Sequence, residues 1–232
     1  NLSTNARLKP GDTLQVDNRH IVASGFADGI GVNLPQRRLF LFRNGEVQHS
    51  YPVAVVTGNW KTPTGEFTVQ TREVDPTWDV PKSIQAEMAR KGKRVLTKVA
   101  PGPDNPLGSR WIGVNGSIGI HGTNAPSSIY QAVTHGCIRV HPDDVAVLFD
   151  LVQVGTPGRI VYEPILLAEA DGEIWLEVHP DIYRRSPTPP LEQVRQAAAA
   201  LGLEARIDWT AVATVIAARH GIARVVTARP AE

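Results

Sequence analysis

Residues 134–139 read Thr-His-Gly-Cys-Ile-Arg, and they contain Cys137, the only cysteine in the 232-residue chain. Sixteen residues upstream of it, His121 stands in the sequence Ile-His-Gly-Thr-Asn of residues 120–124. A thiol attacks a carbonyl carbon well only as a thiolate, and a nearby imidazole is a common means of activating it at neutral pH. Gly136 permits a sharp backbone turn that aims N–H groups at a developing oxyanion. The two stretches together predict a nucleophilic thiol site.

Composition excludes several classes of protein. The formal net charge is +1, so charge supplies no argument for nucleic-acid binding. No run approaches the roughly 20 apolar residues that a membrane span needs, and we expect none in this chain. A single cysteine forbids an internal disulfide. The chain opens at Asn1 without an initiator Met, so we expect that a leader was removed or lies outside this sequence.

The first half of the chain is rich in predicted strands. An Asn-Gly pair at residues 44–45 separates two apolar runs, residues 38–42 and 47–56. Both turn residues tolerate a positive φ, so the pattern predicts a hairpin with a type I′ turn that sets Leu39 opposite Tyr51. Later apolar runs predict a further strand pair that ends at His121.

The stretch between residues 69 and 110 is a long excursion from this strand pattern. It contains a predicted short helix, which we expect Ser83 to cap and Gly92 to end, and then a proline-rich run that cannot pair in a central sheet. Insertions of this length in compact domains are usually functional. We therefore predict that the excursion borders the active-site cleft.

A helix is predicted directly after the cysteine motif. Pro142 suits a first helical turn, two aspartates follow it, and apolar residues recur at helical spacing until Gly155 ends the pattern. We expect His141 to cap this helix. Beyond residue 163 the sequence predicts a hairpin around Asp171 and Gly172 and then two amphipathic helices.

The cysteine and histidine motifs resemble those of the YkuD family of L,D-transpeptidases. The family signature is a His-Gly pair, a spacer, and Ser/Thr-His-Gly-Cys followed by an apolar residue and Arg or Asn; Thr134 stands here where Ser is commoner. Residues 62–67, 75–78 and 101–108 also resemble the envelope branch of the family. The resemblance extends over roughly residues 29–163.

The resemblance implies a fold and a division of the chain. The fold would be α+β and mostly β, a β-sandwich-like L,D-transpeptidase catalytic domain over residues 29–163. Residues 1–28 would form an N-terminal arm, whose segment 8–16 is similar to the end of a LysM wall-binding module. Residues 164–232 would form a small accessory subdomain of helices and a hairpin.

The resemblance also implies roles for individual residues. Cys137 would be the nucleophile and His121 its proton partner, with the carbonyl of Gly122 orienting the imidazole. Backbone N–H groups of His135, Gly136 and Cys137 would bind the oxyanion, and the His135 side chain is a candidate third catalytic group. The expected substrate-binding residues, which include a guanidinium able to hold a carboxylate, are Thr134, Arg139, Asn124 and Trp111.

The implied activity is that of a cysteine acyltransferase of cell-wall biogenesis. It would release D-Ala from peptidoglycan tetrapeptide stems and form 3-3 cross-links, or attach the lysine of an outer-membrane lipoprotein, in the periplasm or cell envelope. It would need no cofactor and no metal, and carbapenems would acylate it.

Three other interpretations stay open at the level of the sequence. The same thiol could serve a peptidoglycan amidase or carboxypeptidase, with water as the acceptor. A zinc site could use side chains that zinc accepts, although the spacing matches no compact ligand motif; these side chains are His121, His135, Cys137 and His141. A non-enzymatic wall-binding protein is the third interpretation.

Overall fold

The structure is a computed structural model of the chain. It describes residues 9–13, 18–23, 25–56, 61–116, 118–134 and 136–229, with the side chains of residues 132–134 outside that description. Of the LysM-like segment predicted at residues 8–16, only residues 9–13 are described, and residues 8 and 14–16 lie outside the description. Within them, no helix has the length and apolar character that crossing a membrane requires.

The fold is α+β and mostly β, as predicted. In the described part of the chain the strands are β1 (Gly29–Asn33), β2 (Arg38–Arg43), β3 (Glu46–Val56), β4 (Gly65–Thr68), β5 (Thr71–Val74), β6 (Trp78–Asp79), β7 (Lys98–Val99), β8 (Arg110–Asn115), β9 (Ile118–His121), β10 (Ala132–Thr134), β11 (Ile138–Val140), β12 (Pro157–Val161), β13 (Ile165–Ala170), β14 (Glu173–Val178) and β15 (Arg224–Val225). The α-helices there are α1 (Lys82–Arg90), α2 (Pro142–Leu151), α3 (Pro190–Leu201) and α4 (Trp209–Ala218).

The main sheet curls round on itself. Its strand order is β4-β12-β1-β2-β3-β11-β9-β8-β5, and β10 pairs with β3 as a tenth strand. The two ends of this order, β4 and β5, are joined in the chain by Val69 and Gln70 alone, so the sheet edges must lie close together. Val69 donates its backbone N–H to the carbonyl of Thr156, next to β12, at 2.9 Å. Gln70 donates to the carbonyl of Gly113 on β8 at 2.7 Å, so the connection bonds to both ends of the sheet. This closure produces the sandwich-like shape.

The hairpin of β2 and β3 forms where the sequence predicts it. Asn44 has φ 53° and Gly45 has φ 76°, so both turn residues occupy the left-handed region, as a type I′ turn requires. Leu39 lies directly opposite Tyr51. The predicted pairing is therefore confirmed, and it sets the register of the strands that lead to β11.

The core of the main sheet is continuous with helix α2. Val145 and Leu148 on this helix are fully buried in the same apolar cluster as Ile120 and Ile138 from the strands. The His141 side chain accepts a hydrogen bond from the N–H of Asp143 and caps the helix, as predicted. The helix ends at Leu151, before the predicted Gly155, because the backbone is already extended at the next residue.

Residues 71–74 of the excursion form strand β5 of the main sheet, so the departure from the strand pattern begins later than predicted. The rest of the excursion folds into the small β6–β7 ladder, helix α1 and a proline-rich loop. Helix α1 starts one residue before Ser83, with Pro81 at the N-cap position, so the prediction that Ser83 caps it is wrong. The carbonyl of Pro81 accepts a hydrogen bond from the N–H of Gln85 at 3.0 Å, so the helix begins directly after the proline. The fully buried Asn105 holds the loop by donating from its side-chain amide to the carbonyl of Pro76 at 2.8 Å.

The C-terminal part has its own sheet and its own apolar cluster. Strands β13, β14 and β15 form a three-stranded sheet, and the hairpin turns at Asp171 and Gly172, both with positive φ, as predicted. The helices α3 and α4 pack on this sheet around Leu176 and Val212, which are fully buried. Two separate clusters are compatible with the predicted division at residues 163 and 164, which stays a prediction.

A buried carboxylate ties the two parts to the segment before β1. Glu177 on β14 is fully buried, and it accepts hydrogen bonds from the N–H of Ile21 at 2.7 Å and the side chain of Gln36 at 2.9 Å. His20 and His179 contact the same carboxylate at 3.0 and 2.7 Å. Burial alone would raise the pKa of Glu177, but the hydrogen bonds from these partners outweigh it and lower that pKa to about 2.

Candidate active site

Strand pairing brings the two motifs together. Strand β9 ends at His121, and β11 begins directly after Cys137. These two strands are parallel neighbours, with Ile138 opposite Ile120 and Arg139 opposite His121. Residues that are sixteen positions apart in the sequence therefore lie at adjacent strand ends.

The imidazole of His121 is buried and held by backbone carbonyls. Its side chain is 5% exposed, and Nδ1 lies 2.6 Å from the carbonyl oxygen of Gly122. Because a carbonyl only accepts, Nδ1 carries the proton in the neutral ring and Nε2 keeps its lone pair. Burial, followed by the charge of Arg139, lowers the pKa of His121 to about 4, and the neighbouring carbonyls of Gly122 and Leu107 act in the opposite direction.

The surroundings of Cys137 favour the protonated thiol. Burial raises its pKa above the ordinary value, although a backbone hydrogen bond with Gly119 and the charge of Arg139 act in the opposite direction. With the imidazole pKa lowered, both groups are neutral near pH 7. The resting pair is thus a thiol and an imidazole, a charge state that the sequence motif leaves open.

The turn before the cysteine depends on Gly136. Its φ is +121°, which side-chain-bearing residues rarely adopt, whereas an added Cβ would meet no atom within 4 Å. Backbone conformation, and not lack of space, therefore requires glycine. The fully buried Thr62 donates its hydroxyl to the carbonyl of Gly136 at 3.1 Å and holds this turn against the loop before β4.

Arg139 places a positive charge beside both reactive groups. Its Nη1 donates to the hydroxyl of Ser128 at 2.8 Å, and that hydroxyl donates in turn to the carbonyl of Ala125 at 2.6 Å. Its Nε is buried without a hydrogen-bond partner among the described residues. Partial burial lowers the pKa of Arg139 from its ordinary value, and the nearby thiol acts against this shift. The guanidinium is thus partly desolvated and positioned to accept a carboxylate.

The reactive groups open into a cavity of about 720 Å³. Parts of the excursion, including Trp78, Ile84 and Pro106, form one side of this cavity. The prediction that the excursion borders the cleft is therefore confirmed. The loop is anchored beside the imidazole, because Gly108, at φ +66°, lies against the backbone of Gly122 and the next residue, where a Cβ would come within 2.6 Å of a backbone nitrogen.

The predicted substrate-binding residues fall in different places. Trp111 lines the cavity and stacks on the ring of His121, with 6.0 Å between centroids. Asn124 does not join them; it is exposed, and its side chain donates to the carbonyl of Asp104 at 3.1 Å. Thr134 ends β10, but its side chain lies outside the described residues, as does the whole of His135.

No metal-ligating group emerges from the part of the chain that the structure describes. Among those residues, which exclude His135, no three His, Cys, Asp or Glu side chains are grouped closely enough to hold a metal ion. One member of the zinc set considered above, His141, instead caps helix α2.

Sequence reasoning missed three residues of the cleft. Lys61 and Glu73 line the cavity, and Thr62 bonds to Gly136, which also lines it. Thr62 falls in a segment that carries the family resemblance, which is a signal for its position but not for its contact. For Glu73 no signal was available, because its place depends on the strand that it pairs with.

The fold and the site together define a mostly β protein with a thiol and an imidazole on neighbouring strand ends. The family model of the YkuD L,D-transpeptidase catalytic domain matches residues 27–160. The probable L,D-transpeptidase ErfK/SrfK of Salmonella typhimurium is 36% identical over 177 residues, 75% of this chain and 57% of that protein. The YkuD protein of Bacillus subtilis is 32% identical over 165 residues, 67% of this chain and 84% of that protein.

A solved L,D-transpeptidase from Mycobacterium smegmatis is 24% identical and covers 57% of this chain and 57% of its own, with a TM-score of 0.46. The family match spans more than half of the residues, and the chain belongs to the YkuD family of L,D-transpeptidase catalytic domains. It spans a little over half the length of the first curated relatives that it matches.

Proposed function

We propose that this chain catalyses L,D-transpeptidation on peptidoglycan stem peptides through an acyl-enzyme on Cys137. The observation that carries the proposal is the position of Cys137 and His121 at adjacent strand ends in one cavity, with the imidazole held by the carbonyl of Gly122. Membership of the L,D-transpeptidase family supports the same activity.

The neutral resting pair suggests how the first step proceeds. As Cys137 Sγ attacks the carbonyl of the L-centre residue before the terminal D-Ala, its proton passes to Nε2 of His121. The tetrahedral intermediate collapses, the C–N bond breaks, and the imidazolium returns the proton to the departing amine of D-Ala. A thioester remains on the enzyme. Transfer concerted with attack avoids a free thiolate, which burial disfavours.

In the second step an amine is the acceptor. It attacks the thioester carbonyl while His121 takes its proton, a new amide bond forms, and the C–S bond breaks with return of the proton to sulfur. The acceptor would be a second stem, giving a 3-3 cross-link at meso-diaminopimelate, or the lysine of an outer-membrane lipoprotein. These substrates would place the protein in the periplasm or cell envelope.

Backbone N–H groups would stabilise the oxyanion in both steps. The peptide unit between Gly136 and Cys137 is planar, so the hydrogen bond that Thr62 makes to its carbonyl also orients the N–H of Cys137. The N–H of Gly136 and that of His135 are the other proposed donors. Arg139 would hold the carboxylate of the terminal D-Ala.

We also propose that residues 29–163 are the catalytic unit, residues 1–28 an N-terminal arm and residues 164–232 an accessory subdomain. The matched span of 27–160 supports the catalytic limits. The separate three-stranded sheet of β13, β14 and β15 supports the C-terminal limit, although Tyr183 packs in the apolar cluster of the main sheet.

Incubation with a disaccharide-tetrapeptide, followed by mass analysis, tests the activity. A cross-linked dimer is expected from the wild type, and none from Cys137→Ser or His121→Gln. A tripeptide alone would indicate a carboxypeptidase with water as the acceptor, and unchanged substrate would refute acyl transfer. Stoichiometric zinc in protein purified without chelator would overturn the thiol mechanism.

A further inference from the structure

Four residues that line the cleft form a single row across the main sheet. They stand directly opposite one another on the neighbouring strands β5, β8, β9 and β11, and in that order they are Glu73, Trp111, His121 and Arg139. All four border the cavity that contains Cys137. The row therefore has a carboxylate at one end and a guanidinium at the other, with the proposed proton partner between them.

The alternation of side chains along β5 indicates that the carboxylate of Glu73 points toward the cleft. The neighbouring Arg72 places its guanidinium 4.0 Å from the ring centroid of Phe149, on the face that packs against helix α2. Successive side chains of a strand point to opposite faces, so Glu73 points away from that helix and toward the cleft.

The centre of the row is a flat apolar surface. The Trp111 ring lies over Gly119 on the next strand, where an added Cβ would come within 2.5 Å of the indole. Glycine at this position therefore leaves room for the ring to lie across the sheet. Methylene groups of a substrate could cover this surface on the way from the imidazole to Glu73.

Charge compensation in the cleft distinguishes Glu73 from its neighbours. Asp79, the other carboxylate at the cavity wall, pairs with Lys98 at 3.0 Å. The ammonium of Lys61 donates to the carbonyl of Tyr183 at 3.2 Å. Within the described residues, Glu73 makes no ion pair, so its charge is available to a cationic ligand.

We propose that Glu73 is a specificity-determining residue that binds a primary ammonium on the side chain of the residue whose carbonyl Cys137 attacks. This assignment rests on the proposed transpeptidase function. It adds that the donor site recognises a free amine on the side chain of that residue. The carboxylate of the leaving residue lies at Arg139, the scissile carbonyl near the thiol, and the side-chain methylenes on Trp111.

The length of the row fits such a substrate. Paired strands lie about 4.8 Å apart, so the Glu73 and His121 backbones are separated by about 10 Å. An ammonium on the fourth side-chain carbon lies about 7 Å from the carbonyl carbon in an extended chain. The side chain of Glu73 spans the rest of the distance between the two backbones. The attacking amine of the acceptor must reach the thioester itself, which is too far from Glu73 for the same role.

Two donor tetrapeptides test the proposal, one with meso-diaminopimelate in its third position and one with the same residue acetylated on its side-chain amine. Release of D-Ala is measured as kcat/KM for the wild type and for Glu73→Gln, Glu73→Asp and Glu73→Lys. Glu46→Gln is the matched control, because this glutamate is also exposed on a strand but lies at the far end of the β2–β3 hairpin. Thermal unfolding verifies that each variant is folded.

The wild type is expected to prefer the free amine by about 2- to 5-fold, the range of an exposed ion pair. The ratio of kcat/KM for the free-amine donor to kcat/KM for the acetylated donor should fall toward one in Glu73→Gln and below one in Glu73→Lys. It should recover in part in Glu73→Asp, and Glu46→Gln should keep the wild-type ratio. An active Glu73→Gln variant with the wild-type ratio would overturn this assignment alone. No release of D-Ala from either peptide by the wild type would overturn the proposed function together with it.

Discussion

Replacement of Thr62 by valine tests how the turn before Cys137 is held in place. The change keeps the shape of the side chain and removes the hydroxyl that donates to the Gly136 carbonyl at 3.1 Å. Thr62 is fully buried, so the carbonyl loses a donor in a site with little access to water. The loss of a buried hydrogen bond of this kind costs about 1–2 kcal/mol of the free energy of unfolding. For a chain of this size the melting temperature should fall by roughly 2–8 °C.

The effect on catalysis should exceed the effect on stability. The Gly136 carbonyl and the Cys137 N–H belong to one planar peptide unit, so freeing the carbonyl also frees the proposed oxyanion donor. Complete loss of one such donor costs about 100- to 1,000-fold in rate, and partial misorientation should cost about 10- to 100-fold. The measurement is the rate at which a carbapenem acylates Cys137, followed by intact-protein mass.

Two control variants separate the hydroxyl from other effects. Thr62→Ser restores the donor and should recover most of the acylation rate. Thr64→Val makes the same chemical change two residues later, at an exposed position, and should leave both rate and stability near the wild type. If Thr62→Val melts at a lower temperature but is acylated at the wild-type rate, the hydroxyl has no part in positioning the turn.

The remaining predictions concern charge and backbone packing. Arg139→Gln should raise the pKa of His121 from about 4, so the acid limb of the pH–rate profile for acylation moves to higher pH, whereas Arg139→Lys should leave it near its original position. Gly108→Ala should lower the melting temperature, because φ +66° and a backbone nitrogen at 2.6 Å leave no place for a Cβ; a wild-type melting curve would contradict this. The folded-state pKa of Glu177 lies below its ordinary value of 4.5, so its stabilisation is present above that pH and is lost as the pH falls toward 2. Glu177→Gln should therefore be less stable at pH 7, by about 2 kcal/mol, and lose less stability than the wild type on acidification.

Local patterns in the sequence were sufficient for most of the secondary structure. The Asn-Gly turn, the helix after the cysteine motif and its histidine cap are decided by residues a few positions apart, and the structure confirms them. The same patterns did not determine where each helix begins and ends. Helix α1 begins before Ser83, with Pro81 at its N-cap position and no side-chain cap.

The sequence by itself also determined the family and pointed to Cys137 and His121, because a reactive thiol needs particular residue types in a particular order. It could not determine the charge state of that pair. Burial lowers the pKa of the imidazole and raises that of the thiol, and burial is a property of the folded molecule.

Only the tertiary structure decided which distant residues share the cleft. Glu73 stands in line with Trp111 and His121 because the sheet curls until β5 becomes the neighbour of β8. Thr62 meets the turn before Cys137 across 74 positions of sequence. The buried position of Glu177 likewise depends on three segments meeting. The pairing of strands that are distant in the sequence and the closure of the sheet result from the packing of the whole core, and no short stretch of residues contains that information.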